Sequence, residues 1–245
     1  MKIVAVIPAR YQSSRFPGKP LADICGHPMI WWVYNQVKKV KEFNEVYVAT
    51  DDKRIKDVCD NNNINVVMTK NNHNSSTERV FEVAQKVEAD YYVVINGDEP
   101  LINPNVIKKI IPNKKIDEKI YVANIMTEIK KPSEVVDFTN IKVVVDKHNY
   151  AMYFSRSPIP YPKSSLNYKY YKHVGILIYN YDALKFFSTT KKGKIEKIED
   201  VNELRFIEHG KKIKMINAKT NSLSVDTQKD LEKVISIINK NGLTS

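Results

Sequence analysis

The apolar positions of this 245-residue chain fall into short blocks separated by polar stretches. Ile3 to Ile7, Val46 to Ala49 and Tyr91 to Ile95 are nearly unbroken apolar runs of strand length, as in strands buried on both faces of a parallel sheet. Ile64–Met68, Ile120–Met126 and Lys172–Tyr179 read as further strands, and Lys212–Ile216 and Leu223–Val225 as short ones. Between them the period lengthens. Ile30, Val33, Tyr34 and Val37 recur at helical spacing behind Pro28, which suits a first turn. Lys53–Asp60 reads as a helix stopped by Asn61 to Asn63, and a third helix runs to Val87 from Ser75, whose spacing to Glu78 is that of a capping box. Asn103-Pro104 opens a helix to Ile111, the apolar positions from Ile195 to Phe206 predict one helix over Ile195–Glu208, and Gln228–Ile238 forms the last. Asn140–Asp146 and Ala151–Ser155 are expected to pair as a hairpin. Strands alternating with helices predict an α/β fold, a mixed, mostly parallel sheet with helices on both faces. Neither a repeat nor a long linker divides the chain, so residues 1–245 are expected to form one domain.

Composition narrows the classes. Thirty-nine basic against 28 acidic side chains leave a net charge of +11, which invites a nucleic-acid partner. The lysines are scattered rather than focused on one helix, and Lys, Asn and Ile are abundant together, as AT-rich codons would make them. No nucleic-acid partner is therefore expected, and a polyanionic small substrate accounts for a local part of the charge. No run approaches the ~18–20 apolar residues of a membrane span. The first residues enter a strand without a signal-peptide pattern, so a cytoplasmic location is expected. Cys25 and Cys59 can build neither a disulfide framework nor a Cys/His zinc site. Trp31 and Trp32 are adjacent and cannot both face one core, which places one of them at the surface, a ligand edge or a subunit contact.

Three segments carry chemistry. The first strand stops at Pro8, and Arg10, Arg15 and Lys19 follow in a loop punctuated by Pro17, Gly18 and Pro20. Backbone N–H groups and three cations at the carboxyl edge of a sheet suit a triphosphate. The spacing is neither that of the P-loop nor Gly-x-Gly-x-x-Gly. The most apolar strand runs into Asn96-Gly97-Asp98-Glu99-Pro100. A carboxylate pair beside a buried sheet is unfavourable unless a hard cation such as Mg²⁺ offsets it; an acidic turn with an Asn-Gly signal is the plainer alternative. Asp226-Thr227 stands where the last helix needs a cap.

The pattern Pro-Ala-Arg-x-x-Ser-x-Arg-x-Pro-Gly-Lys resembles the signature of the sugar-nucleotide pyrophosphorylase-like transferases, and within them most closely that of the CMP-KDO synthetase (3-deoxy-manno-octulosonate cytidylyltransferase) family. The resemblance runs from Lys2 to about Asn239 and is strongest over residues 7–21, 97–101, 153–160, 172–176 and 223–231. It implies a Rossmann-like nucleotide-diphospho-sugar transferase fold and a homodimer. It implies cytidylyl transfer from CTP to a 2-keto-3-deoxy sugar acid with release of pyrophosphate, for lipopolysaccharide or capsule biosynthesis. It places Pro8, Ala9, Arg10, Ser13, Lys19, Ser75, Thr77, Arg79, Asn96 and Gly97 around the nucleotide. Arg10, Arg15, Lys19 and Asp98 act in catalysis on this resemblance, and Asp98 and Asp226 hold Mg²⁺. For Asp226 the helix-cap and metal-ligand roles both stay open. Arg156 is implied to meet the sugar carboxylate, His173 to lie on the sugar side, and Asn202 and Glu203 to face the sugar hydroxyls. No histidine is placed as an obvious general base. Three departures bear on specificity: Ser76 replaces a Gly, Asn96 a Gln, and Asn202-Glu203 a Glu-Gln pair. Swapping donors for acceptors in a closed site changes which sugar is accepted, so a related acid such as 8-amino-3,8-dideoxy-manno-octulosonate is the alternative substrate.

Overall fold

The computed structural model describes residues 1–12, 16–165, 167–220 and 222–242. In chain order the elements are β1 (Ile3–Pro8), a 3₁₀ turn (Lys19–Leu21), β2 (Asp23–Ile24), β3 (His27–Pro28), α1 (Met29–Lys38), β4 (Glu45–Thr50), α2 (Lys53–Asn61), β5 (Val66–Met68), α3 (Ser76–Lys86), β6 (Tyr91–Ile95) and α4 (Pro104–Lys108). They continue as β7 (Val122–Glu128), α5 (Pro132–Val136), β8 (Lys142–Val145), β9 (Ala151–Ser155), β10 (Tyr171–Tyr179), α6 (Tyr181–Thr189), α7 (Lys194–Glu199), α8 (Leu204–Glu208), β11 (Lys214–Asn217) and α9 (Gln228–Lys240).

One mixed sheet has the order β11-β7-β10-β6-β1-β4-β5, and the β8–β9 hairpin joins it through β10. β1 is parallel to β4 and β6, and β11 to β7, while β10 runs antiparallel to both its neighbours β6 and β7. The expected mostly parallel sheet with helices on both faces is present, because side chains alternate along each strand. Ile3, Ala5 and Ile7 of β1 join α1, α2 and α4 in one core, while Val4 and Val6 join α3, α6 and α8 in the other. A third cluster seats α9, through Leu231, Val234 and Ile238, on Ile24, Met29 and Trp32. Trp32 is buried, its indole N–H donating to the Ile24 carbonyl at 2.8 Å, whereas Trp31 is half-buried and stacks on His27 at 3.8 Å. Among the described residues no helix is long and apolar enough to cross a membrane.

Several expectations are corrected. The helix over Ile195–Glu208 is two helices, since Asp200 takes a left-handed conformation (φ 51°) and ends α7. Apolar spacing alone cannot register such a break. Leu223–Val225 is not a strand: it crosses over to Asp98 instead of pairing with a ladder. The helix expected to reach Ile111 ends at Lys108. Ser76, where glycine was the familiar residue, lies inside α3 and needs no positive φ.

Candidate active site

The loops that leave β1, β4 and β6 meet at the carboxyl edge of the sheet. β10 runs the other way, so its start reaches the same edge, where the Asn96 N–H donates to the Gly175 carbonyl at 2.9 Å. Gly97 permits the next approach: a Cβ there would stand 3.1 Å from the Pro8 carbonyl oxygen. The Asp98 carbonyl accepts from the Val225 N–H at 2.8 Å, tying the segment before α9 to the end of β6. The cap of α9 is Thr227, not Asp226. Its Oγ1 accepts from the Asp230 N–H at 3.3 Å, and Asp230 Oδ2 accepts from the Thr227 N–H at 3.1 Å, a complete capping box. With capping left to its neighbour, Asp226 turns toward the cationic loop. Lys19 Nζ lies 2.9 Å from Asp98 Oδ2 and 3.3 Å from Asp226 Oδ1, with the lysine side chain only 14% exposed. Two carboxylates 128 positions apart in the chain thus share one ammonium group.

The donors fit a hard divalent cation. Both are carboxylate oxygens, and Asp98 Oδ1 is buried with no hydrogen-bond partner among the described residues. Among the described residues no group of three or more His, Cys, Asp or Glu side chains gathers for a metal, so the protein would contribute these two. Glu99, adjacent, is almost wholly buried, and burial pushes its carboxyl up to about 7.

Arg10 is exposed, while Ser13 and Arg15 lie outside the described residues. Ala9 is buried, its N–H donating to the Ala49 carbonyl at 2.9 Å. Arg79 is 1% exposed. Its Nη1 meets Asp51 Oδ1 at 3.2 Å and donates to Thr69 Oγ1, while Nε and Nη2 are buried and find no partner among the described residues. Burial lowers the pKa of this guanidinium, with Asp51 opposing the shift. Unpaired donors on a buried arginine cannot be left so at little cost, and a bound ligand's oxygens would satisfy them. Ser75 caps α3, accepting from the Glu78 N–H at 3.2 Å, whereas Glu78 Oε2 accepts from Asn74 N–H rather than closing the box on Ser75. Thr77 is buried, and its hydroxyl meets Tyr179.

The sugar-side candidates form a second group. The Arg156 guanidinium donates to the carbonyls of Glu199 (2.6 Å), Phe138 (3.1 Å) and Asp200 (3.1 Å), and the Glu199 carboxylate accepts from the Arg156 N–H (2.8 Å) and the Ser155 hydroxyl (2.6 Å). His173 is half-buried, with Phe154 edge-on at 6.2 Å and, among the described residues, no hydrogen-bond partner for its buried Nδ1. Burial pulls its ring toward the neutral form, while the buried Glu203 carboxylate acts in the opposite direction. Asn202 is half-buried in the turn before Glu203, its carbonyl accepting from Arg205 N–H. Lys172 sits within electrostatic reach of both His173 and Glu99, so the sugar-side group borders the acidic segment. Sequence reasoning missed Asp51 as the partner of Arg79 and Glu199 as the anchor of Arg156. Thr50-Asp51-Asp52 at a strand's end signalled the first; the second is a contact across 43 positions with no local signal.

A family model described as cytidylyltransferase matches residues 4–213. The 3-deoxy-manno-octulosonate cytidylyltransferase of Fusobacterium nucleatum subsp. nucleatum is 41% identical over 244 residues, covering 99% of each chain. The 8-amino-3,8-dideoxy-manno-octulosonate cytidylyltransferase of Shewanella sp. is 38% identical over 237 residues, covering 95% of this chain and 97% of that one. A solved structure of CMP:2-keto-3-deoxy-manno-octonic acid synthetase complexed with CTP superposes with a TM-score of 0.92 at 40% identity, covering 98% of this chain and 100% of the other. Lys19, drawn between two distant aspartates, thus sits in a fold and a sequence framework shared along nearly the whole chain, which belongs to the CMP-KDO synthetase family of cytidylyltransferases.

Proposed function

We propose that this enzyme transfers the cytidylyl group of CTP to the anomeric hydroxyl of 3-deoxy-manno-octulosonate and releases pyrophosphate. The observation that carries the reading is the convergence of Asp98 and Asp226 on Lys19 beside the cationic loop. Arg10 and Lys19 hold the phosphates, supplying fixed positive charge where negative charge grows on the leaving group. Arg79 offers Nε and Nη2 to the nucleotide from a buried position. Asp98 and Asp226 would hold Mg²⁺, which when bound supplies charge neutralisation and lowers the pKa of a hydroxyl beside it. Arg156, Lys172 and His173 receive the sugar acid, with Glu203 accepting from its hydroxyls. The enzyme acts in the cytoplasm as a homodimer; exposed Val136, Phe138 and Ile198, which flank the Arg156 anchor, support a subunit contact there.

An 8-amino sugar acid is the second reading, favoured by Glu203: a buried carboxylate in place of the familiar Gln prefers a cationic partner. Pyrophosphate release from CTP and Mg²⁺ with each acid separately is expected with one of the two and lost in Asp98→Asn, whose fold stays intact by circular dichroism. Absence of turnover with both acids would overturn the reading.

A further inference from the structure

β4 ends in two adjacent aspartates with different partners. Asp51 holds Arg79. Asp52 holds Arg54 three ways, accepting from its backbone N–H (2.9 Å), its Nε (3.0 Å) and its Nη2 (2.6 Å). So fixed, the Arg54 guanidinium lies over the ring of Tyr11, its Cζ 3.3 Å from the ring centre. An arginine 58% exposed at the surface would ordinarily sample many rotamers; this one has its fork on a carboxylate and its face on an aromatic ring. Tyr11 in turn closes on Gly18. The Gly18 N–H donates to the Tyr11 carbonyl at 2.8 Å, Gly18 has φ +72°, and a Cβ there would stand 3.2 Å from the tyrosine Cζ and hydroxyl oxygen. Arg10 precedes Tyr11 and Lys19 follows Gly18.

We propose that Asp52, Arg54 and Tyr11 form a clamp that fixes the separation of Arg10 and Lys19, and so sets how tightly the triphosphate is held. The proposal rests on the CTP-dependent function above. Arg54 touches no reacting atom in this scheme; it is a positioning residue that acts through Tyr11. It binds the acidic loop after β4 to the cationic loop after β1, two elements whose charges attract but whose exposed side chains would not otherwise hold one geometry.

Calorimetric titration with CTP and steady-state kinetics on Arg54→Ala, Arg54→Lys, Tyr11→Ala and the Arg54→Ala/Tyr11→Ala pair test it. Arg54→Ala should raise both the Kd and the KM for CTP about tenfold and leave the KM for the sugar acid within about twofold. Arg54→Lys should recover part of the loss, because an ammonium still reaches the ring and Asp52 without the fork. The double variant should be no weaker than Tyr11→Ala, the signature of two residues acting as one unit. Unchanged CTP binding in Arg54→Ala, additive losses in the pair, or equal losses for both substrates would each overturn the clamp while leaving the function standing. A wild-type enzyme that fails to bind CTP would remove the function and the clamp together.

Discussion

Lys19 and Arg156 show how far one cation's role depends on what it touches. Lys19 bridges two carboxylates, so its charge is balanced within the fold, and a metal entering between Asp98 and Asp226 would release it toward phosphate. The described residues give the Arg156 guanidinium only carbonyl partners. The Glu199 carboxylate feels this charge, yet no carboxylate oxygen among the described residues bonds the guanidinium, which leaves it able to meet a substrate carboxylate, while its hydrogen bonds tie β9 to the α7–α8 turn. Arg156→Ala should therefore do two things at once. The KM for the sugar acid should rise well beyond that for CTP, and stability should fall by about 1–3 kcal/mol as the three carbonyls lose their donor. Equal increases in both KM values would count against a carboxylate-binding role, and an unchanged denaturation midpoint against the anchoring one.

Among the elements, the α9 cap decides where Asp226 points. Thr227 and Asp230 satisfy each other's backbone N–H groups, so the helix has no need of Asp226. Thr227→Ala should lower stability by about 1 kcal/mol, read as a lower urea midpoint at constant slope. Asp226→Asn should spare the midpoint and strike turnover. The reverse assignment, with Asp226→Asn destabilising and Thr227→Ala silent, would return the cap to Asp226. The α7–α8 break has comparable consequence: with Asp200 left-handed, Glu203 enters α8 buried beside His173 instead of continuing around a single helix.

Across the molecule, buried titratable groups fix the pH range of stability. Burial in the core behind β1 raises the Cys59 thiol from 9.0 to about 12, and burial likewise raises Tyr121 from 10.0 to about 12. Both are held in their neutral forms, so their contribution is complete below 9.0 and is lost as pH rises toward 12. Glu82 works at the other limit. Burial would raise it, but hydrogen bonds from Lys86, the Lys70 N–H and His73 outweigh that and hold it at about 2, so its contribution is present above 4.5 and lost as pH falls toward 2. Glu99 opposes folding as pH rises from 4.5 to about 7. Urea midpoints should decline above pH 9 in the wild type and decline less steeply in Cys59→Ala; parallel declines would remove the thiol as a cause. The apolar runs of β1, β4 and β6 by themselves marked those strands and their burial on both faces, because burial of a continuous run needs no information beyond neighbours in the chain, whereas the reversed direction of β10 and the unpaired path of Leu223–Val225 did not show in them. The cationic loop, the Asn-Gly-Asp-Glu segment and Asp226 were likewise visible as residue types. What only the tertiary structure decided is which of them meet: Val225 docking on Asp98, Asp51 reaching Arg79, Glu199 anchoring Arg156 and Thr227 relieving Asp226 are contacts between segments far apart in the chain or choices between adjacent groups. Local pattern carries no term for such pairings, since their energies exist only once the sheet has brought its strand ends to one edge.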